Sequence, residues 1–158
     1  MEFQLIKKED SVLDLGCAPG SWLQVLKQFT HGKIIGIDLI NIKPIDRVAF
    51  IQGDIQNPTV QKQLKEKFDV VVSDVAPKTS GIQNKDKFLS YELSRESFHI
   101  AKIVLKKNGN FLVKTFQSQD TEDLIKEMKP YFTFIKRYTP YSTRQRSKEI
   151  YIIALRLK

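Results

Sequence analysis

Short apolar runs alternate with amphipathic stretches along most of the chain. The apolar runs predict strands, and the stretches with apolar residues at helical spacing predict helices between them. The predicted strands are Val12–Leu15, Ile34–Ile37, Val48–Ile51, Phe68–Val72, Phe111–Val113, Tyr131–Tyr138 and Glu149–Leu155. The predicted helices are Ser21–Thr30, Pro58–Lys67, Lys87–Lys106, which stops at Asn108-Gly109-Asn110, and Thr121–Met128, with Thr121 as N-cap. This alternation is typical of a mainly parallel sheet with helices on both faces.

The last two predicted strands follow each other without a helix between them. They are joined by the basic segment Thr139–Lys148, so an antiparallel hairpin at one edge of the sheet is expected. The whole chain, residues 1–158, is predicted to be one α/β domain. Ligands of such sheets bind at the carboxyl ends of the strands, near the point where the strand order reverses. Polar residues collect at these predicted strand ends, namely Asp14, Asp38, Asp54, Asp74 and Lys114.

A glycine-rich turn, residues 14–20, follows the first predicted strand. Gly16 and Gly20 leave the backbone open to close approach by a cofactor. The Gly-x-x-x-Gly spacing matches neither a dinucleotide fingerprint nor a phosphate-binding loop. S-adenosylmethionine therefore fits better than a ligand held by its pyrophosphate, although an ordinary strand-to-helix turn is the alternative. The predicted cofactor contacts in the turn are Gly16, Ala18, Pro19 and Gly20.

Two aspartates that follow later strands are predicted to bind the adenosine part of the cofactor. Asp38 is placed to accept hydrogen bonds from both ribose hydroxyls of an adenosine, and Asp54 from the adenine amino group, with Ile55 against the ring. The alternative is that each aspartate only forms a turn. Trp22 is assigned to the cofactor site, with a core position or an RNA-facing position as alternatives.

Composition narrows the class of protein and of partner. The chain has 158 residues, 41% hydrophobic and 28% charged, with no apolar run long enough to cross a membrane. Its net charge of +8 favours a polyanionic partner. One cysteine and two histidines predict no metal site and no internal disulfide. Cys17 has no basic partner in the sequence and is predicted to be a packing residue.

Basic residues cluster near the end of the chain and are interleaved with tyrosines. Cations for phosphates and aromatic rings for bases suit an unpaired RNA segment. The alternative is a solvated charged edge that protects the sheet from aggregation. The residues predicted to bind RNA are Lys78, Arg144, Arg146 and Lys148.

Four motifs together resemble the bacterial heat-shock ribosomal RNA methyltransferase family. They are Asp-Leu-Gly-Cys-Ala-Pro-Gly-Ser-Trp from Asp14, Ser-Asp-Val-Ala-Pro from Ser73, Val-Lys-Thr-Phe-Gln from Val113, and Arg-Ser-Lys-Glu-Ile-Tyr from Arg146. They occur in the family's order and extend over nearly the whole chain. The resemblance implies a Rossmann-like fold with a seven-stranded sheet, S-adenosylmethionine as methyl donor, and methylation of a ribose 2′-hydroxyl in large-subunit rRNA.

The resemblance also implies a Lys-Asp-Lys-Glu catalytic set. Three members carry over by motif: Asp74, which is also assigned to the cofactor site, Lys114 and Glu149. The family's first lysine lies in an N-terminal, RNA-binding helical segment, whereas only fifteen residues precede Gly16 here. Lys7 and Lys8 do not match that lysine, so cofactor binding with reduced catalysis is expected. Lys114 would act either as a base or as a cation beside the developing alkoxide, and a buried ion-pair cluster is the structural alternative.

Three hypotheses about function follow. The first is a ribose 2′-O-methyltransferase for large-subunit rRNA, working as a monomer on ribosomal RNA or the large subunit. The second is the same chemistry on another RNA, such as a tRNA or a cap. The third is a non-catalytic protein that binds RNA and the cofactor. A bacterial cytoplasm, or the matrix of an organelle with its own ribosomes, is the expected location. A nicotinamide dehydrogenase is disfavoured by the Gly-x-x-x-Gly turn and the catalytic trio.

Overall fold

A computed structural model describes residues 4–75, 81–139 and 149–158 of the chain. Its strands are β1 Val12–Leu15, β2 Ile34–Asp38, β3 Val48–Gln52, β4 Phe68–Ser73, β5 Leu105–Phe116, β6 Phe132–Tyr138 and β7 Glu149–Leu157. Its helices are α1 Ser21–Phe29, α2 Pro58–Gln61, α3 Gln83–Val104 and α4 Gln119–Met128. The strands form one seven-stranded sheet in the order β3-β2-β1-β4-β5-β7-β6.

Strands β1 to β5 are parallel, and β7 pairs antiparallel with both β5 and β6. This confirms the predicted α/β fold with a C-terminal antiparallel pair. The side of the sheet where the parallel strands end is called the carboxyl edge here, and the side where they begin is called the amino edge. The strand order reverses between β1 and β4, so the carboxyl edge at those two strands is the expected ligand position.

The sheet is buried on both faces. Helix α1 packs Leu23 and Leu26 onto one face, while α3 and α4 pack Phe98 and Leu124 onto the other. All four residues of β1 are buried, which is why that strand is continuously apolar except for Asp14. Burial on two faces therefore fixes the position of the turn that follows β1.

Two predicted helices differ from those observed. Helix α2 has one turn and ends at Gln61 instead of Lys67, because residues 62–67 offer only Leu64 as an apolar side chain to bury. Helix α4 begins at Gln119, and its N-cap is Ser118 instead of Thr121. The Ser118 hydroxyl accepts a hydrogen bond from the Thr121 backbone N–H at 3.3 Å, which is the ordinary N-cap contact.

The boundary between α3 and β5 also differs from the prediction. Helix α3 begins at Gln83 and ends at Val104, and β5 begins directly at Leu105, which pairs with Phe68. Asn108, with a φ of 67°, lies in an irregular start of β5 and not in a separating loop. Pairing with β4 extends this strand through a segment whose local composition predicts a turn. Strand β6 begins at Phe132, one residue after its predicted start. Strand β7 ends at Leu157, two residues beyond its predicted end.

Candidate active site

A cavity of about 670 Å³ lies at the carboxyl edge, where the strand order reverses. Its walls come from the turn after β1, the ends of β2, β3 and β4, and one face of α3. The lining residues are Gly16, Ala18, Asp38, Leu39, Ile40, Gly53, Asp54, Ile55, Gln56, Asp74, Val75, Leu89, Glu92 and Leu93. The volume is in the range of small-molecule and cofactor sites.

The turn after β1 requires glycine at both of its ends. Gly16 has a φ of 76°, and a Cβ atom there would lie 2.8 Å from the Cα of Val75. Gly20, at the start of α1, has a φ of 113°. The Gly16 N–H donates to the Ile37 carbonyl at 2.8 Å, which fixes the turn against β2. The main chain therefore reaches the cavity with no side chain in front of it.

The two aspartates predicted to hold an adenosine both line the cavity. One oxygen of Asp38 accepts from the Ala18 N–H at 2.8 Å and the other from the Ile40 N–H at 2.9 Å. Asp54 accepts from the Gln56 N–H at 2.9 Å. Each oxygen of a carboxylate can accept a further hydrogen bond. Both residues thus shape their loops, as the turn-forming alternative expects, and keep acceptor capacity, so their ligand role stays a prediction.

The charge of the cavity is one-sided. Four of the described lining residues are acidic, namely Asp38, Asp54, Asp74 and Glu92, and none is a lysine or an arginine. Acidic walls attract a cationic ligand and repel phosphate groups. These four carboxylates therefore fit a ligand with a sulfonium and an ammonium group. They do not fit a nucleoside triphosphate or a dinucleotide.

A buried carboxyl group lies beneath this turn. Asp14 is 0% exposed, and neither of its side-chain oxygens has a hydrogen-bond partner in the described structure. Burial, and to a lesser extent the charges of Asp74 and Asp38, raises the pKa of Asp14 well above its usual range. The protonated form is therefore favoured, and the turn after β1 begins at an unsatisfied polar group.

The three predicted catalytic residues meet at the same edge through strand register. Ser73 pairs with Val113, so Asp74 follows beside Lys114, and Phe116 pairs with Glu149 on β7. The Lys114 ammonium forms an ion pair with Asp74 and lies 3.9 Å from a Glu149 carboxylate oxygen. The sheet thus places a lysine between two carboxylates that are 75 positions apart in the sequence.

The environment of Lys114 favours its charged form. Burial alone would lower the pKa of this lysine, but its hydrogen bond and ion pair with Asp74, together with the charge of Glu149, outweigh burial and raise the pKa. Tyr151 pairs directly with Lys114 across β5 and β7, and burial raises the pKa of its hydroxyl. At neutral pH the cluster is a neutral tyrosine beside a lysine cation held by carboxylates.

Two helices fix the backbone and side chains of this cluster. On α3, the Ser94 hydroxyl donates to the Lys114 carbonyl at 3.3 Å, and the Ser97 hydroxyl lies 2.8 Å from that of Ser73. On α1, Trp22 stacks on Tyr151 with ring centroids 6.0 Å apart. Trp22 therefore packs against this cluster, and it is not among the residues that line the cavity, where the sequence had assigned it.

The remaining predicted site residues divide into three groups. Pro19 and Gly20 form the turn but do not line the cavity. Lys78, Arg144, Arg146 and Lys148 lie outside the described residues, so their RNA-binding role stays a prediction. Cys17 is buried, which raises its pKa to about 12, and this environment suits the predicted packing role.

Clusters of metal ligands and membrane-spanning helices are both absent from residues 4–75, 81–139 and 149–158. No group of three or more potential metal ligands comes together there. No helix in the same ranges is long and apolar enough to span a bilayer.

Several site residues were not identified from the sequence. Leu39 and Ile40 are more than 60% exposed and border the cavity, so an apolar pair directly after the strand-end Asp38 was an available signal. Leu89 and Leu93 fit the helical spacing of α3 and look like core residues. Only the packing of α3 over the carboxyl edge places them in the cavity wall.

The chain resembles known proteins over nearly its whole length. The FtsJ-like methyltransferase family matches residues 1–157. A protein named ribosomal RNA large subunit methyltransferase E from Methanoregula boonei is 42% identical over 160 residues, covering 99% of this chain and 83% of the relative. The protein of the same name from Archaeoglobus fulgidus is 42% identical over 159 residues, with the same two shares.

A solved structure is also similar to this chain over most of its length. The crystal structure of a ribosomal RNA methyltransferase from Plasmodium falciparum superimposes with a TM-score of 0.84 at 31% identity, covering 96% of this chain and 88% of that one. The fold and the cavity at the strand-order reversal define a Rossmann-like methyltransferase. The chain belongs to the FtsJ-like methyltransferase family.

Proposed function

We propose that this protein transfers the methyl group of S-adenosylmethionine to a ribose 2′-hydroxyl of large-subunit ribosomal RNA. Family membership supports methyl transfer, and the shared name of the 42% identical relatives supports ribosomal RNA as substrate. The observation that carries the proposal is Lys114, held between Asp74 and Glu149 beside an acid-lined cavity.

The residues around the cavity fit S-adenosylmethionine. Asp38 would accept from its ribose hydroxyls and Asp54 from its adenine amino group, with Ile55 and Leu39 against the base. Asp74 would face its positively charged end. When bound, the cofactor supplies a methyl group already activated by a cationic sulfur.

The protein then has to orient and activate a poor nucleophile. A ribose hydroxyl beside Lys114 would be aligned by the ammonium group, which also stabilises the oxygen anion that develops as the hydroxyl proton passes to solvent water and the oxygen takes up the methyl group. Asp74 and Glu149 keep that ammonium charged and in place. The Trp22–Tyr151 stack limits its movement from the α1 side.

The test is methyl transfer to large ribosomal subunits that lack the modification. Wild-type protein and radiolabelled S-adenosylmethionine are expected to label large-subunit rRNA, and digestion is expected to release a 2′-O-methylated nucleoside. Lys114→Ala should lower the rate about 1,000-fold, within the usual range for losing a charge-stabilising group, while calorimetry shows unchanged cofactor affinity.

Lys43→Ala is the matched control, since Lys43 is an exposed lysine that does not line the cavity. It should methylate at the wild-type rate. Labelling of a tRNA instead of rRNA would replace the substrate in the proposal. Cofactor binding without any transfer would make the protein a non-catalytic RNA-binding relative.

The proposal includes two finer points about the working protein. It acts as a monomer, which equilibrium sedimentation at assay concentration would check. It works in the compartment that holds its ribosomes, a cytoplasm or an organelle matrix, which fractionation with ribosomal subunits would check.

A further inference from the structure

Most of the chain's net positive charge lies at the amino edge, on the side of the sheet away from the catalytic cluster. Eleven exposed lysine and arginine residues sit in the segments that border this edge, against five acidic residues. The basic residues are Lys7, Lys8, Lys33, Arg47, Lys65, Lys67, Lys106, Lys107, Lys129, Arg156 and Lys158, and the acidic ones are Glu9, Asp10, Asp46, Glu66 and Asp69. The whole chain has a net charge of only +8.

A groove of about 700 Å³ runs along the middle of this edge. Lys7, Lys107 and Arg156 line it, and they come from the segment before β1, the start of β5 and the end of β7. No ion pair of these three side chains is found in the described ranges. They are therefore available to an anionic ligand.

The acidic residues of the groove are engaged locally. Asp10 accepts the Lys7 backbone N–H at 2.7 Å. Asp69 accepts from the Ser11 N–H at 2.8 Å and from the Ser11 hydroxyl at 3.0 Å, and it lies 3.2 Å from the Lys106 ammonium. These contacts satisfy the carboxylates within the protein, so they compete weakly for the lysines that line the groove.

The floor of the groove is a fixed structure. The Asn110 side chain donates to the Leu5 carbonyl at 2.8 Å and accepts from the Arg156 N–H at 3.0 Å. It thereby joins the segment before β1 to β5 and β7. Gly109 lets β5 pass close to the main chain of β4, because a Cβ atom there would lie 3.0 Å from the Asp69 carbonyl oxygen. The cations that line the groove therefore project from a preorganised surface.

We infer that the amino edge is a second RNA-binding surface, which holds phosphates of the substrate RNA at a distance from the methylated ribose. The inference rests on RNA being the substrate, as proposed above. Strands of four to six residues separate the two edges by roughly 15–20 Å. A trinucleotide in the active site is too short to reach the groove, whereas a folded rRNA domain can contact both edges.

The chemistry of the surface favours a nucleic-acid backbone. Clustered lysines that neutralise phosphates release counterions, which gives affinity without base recognition. The described part of the edge offers few aromatic rings for stacking: Tyr131 is 41% exposed, and its ring faces the Lys102 ammonium. The edge therefore positions RNA and leaves nucleotide choice to the carboxyl edge.

The experiment compares Lys7→Gln/Lys107→Gln with Lys43→Gln/Lys62→Gln, which removes the same charge from two exposed lysines that do not line the groove. Equilibrium binding of protein-free large-subunit rRNA is measured over a series of salt concentrations. The groove variant should bind about tenfold more weakly, with a salt slope lower by about 2, since each phosphate that is no longer neutralised lowers the slope by about 1. The control should change less than twofold.

Three further readouts decide the outcome. Cofactor affinity and binding of a trinucleotide should be the same for both variants, which shows that each is folded. Equal rRNA affinity or equal salt slopes for the two variants would overturn the inference. So would a loss seen with assembled subunits but not with protein-free rRNA, because the partner would then be a ribosomal protein.

The two proposals fail separately. If wild-type protein transfers no methyl group but the groove variant still loses rRNA affinity, the proposed function is wrong and the second surface stands. If methyl transfer occurs and the groove variant binds like wild type, only the second surface is wrong.

Discussion

The cavity at the carboxyl edge and the groove at the amino edge are built on the same sheet but differ in the charge of their described lining residues. The cavity at the carboxyl edge is lined by four acidic residues, whereas Lys7, Lys107 and Arg156 line the groove at the amino edge. In the groove, both carboxylates are engaged by backbone or side-chain donors, while at the other edge Asp74 and Glu149 surround a single lysine. The acidic cavity favours a cationic cofactor, whereas the cations of the groove favour the phosphates of a polyanion.

The largest effect that tests this comparison is expected from adding one carbon to the turn after β1. Gly16→Ala places a methyl group 2.8 Å from the Val75 Cα at a φ of 76°. The turn must then shift, and a misplacement of about 1 Å typically costs on the order of 100-fold in rate. Cofactor affinity by calorimetry and kcat/KM for methyl transfer should both fall.

Gly109→Ala is the matched change at the amino edge, where a Cβ would lie 2.9 Å from the Lys106 carbonyl. Its cost should appear in stability, about 1–3 kcal/mol by urea unfolding, with cofactor affinity within twofold of wild type. Equal loss of cofactor affinity in both variants would show that the edges are not functionally separate.

A smaller effect, about tenfold per pH unit, separates the two roles of Lys114. If the ammonium stabilises the developing oxygen anion, kcat is flat through neutral pH and falls only as pH rises through the raised pKa of this lysine. If the neutral amine is the base, kcat rises tenfold per pH unit across the same range. The structure favours the first profile.

Lys114→Arg sharpens the distinction, since arginine keeps its charge at every accessible pH. It should retain part of the activity and lose the alkaline fall if the lysine acts as a cation. Complete inactivity of a variant that still binds cofactor would favour the base.

The smallest effect concerns the unpaired carboxyl of Asp14. Its raised pKa means that the folded state holds a proton that the unfolded state releases, so wild-type stability decreases as pH rises from the usual aspartate pKa towards the raised one. The slope is at most about 1.4 kcal/mol per pH unit. Asp14→Asn lacks this slope.

Urea unfolding of the wild type and Asp14→Asn at pH 4, 6 and 8 would measure this slope. The difference in free energy of unfolding should shift in favour of the variant as pH rises. A constant difference between the two proteins would show that Asp14 is ionised in the folded state. Asp69→Asn at the amino edge is the contrasting case, because Ser11 and Lys106 lower the pKa of Asp69 despite its partial burial. Replacing the Asp69 carboxylate should lower the free energy of unfolding at pH values above the usual aspartate pKa, where the ionised group stabilises the fold.

The sequence by itself determined the features that depend on near neighbours in the chain. Val12–Leu15 forms the predicted buried strand because its apolar run needs cover on both faces, and Gly16 and Gly20 adopt positive φ where the motif requires a turn. The motifs also identified Asp74, Lys114 and Glu149, which parallel and antiparallel register then brings together. Each of these follows from local geometry or from a recognisable motif.

Only the tertiary structure decided the rest, because it depends on which distant segments share an edge. No local signal places Leu93 in a cavity wall, pairs Ser94 with the Lys114 carbonyl, or moves the cap of α4 from Thr121 to Ser118. The same holds for the charge of the amino edge, since its lysines are spread from Lys7 to Lys158 and only sheet topology aligns them. A sequence shows only charges that cluster along the chain, whereas the electrostatic field of a folded protein sums charges that are close in space.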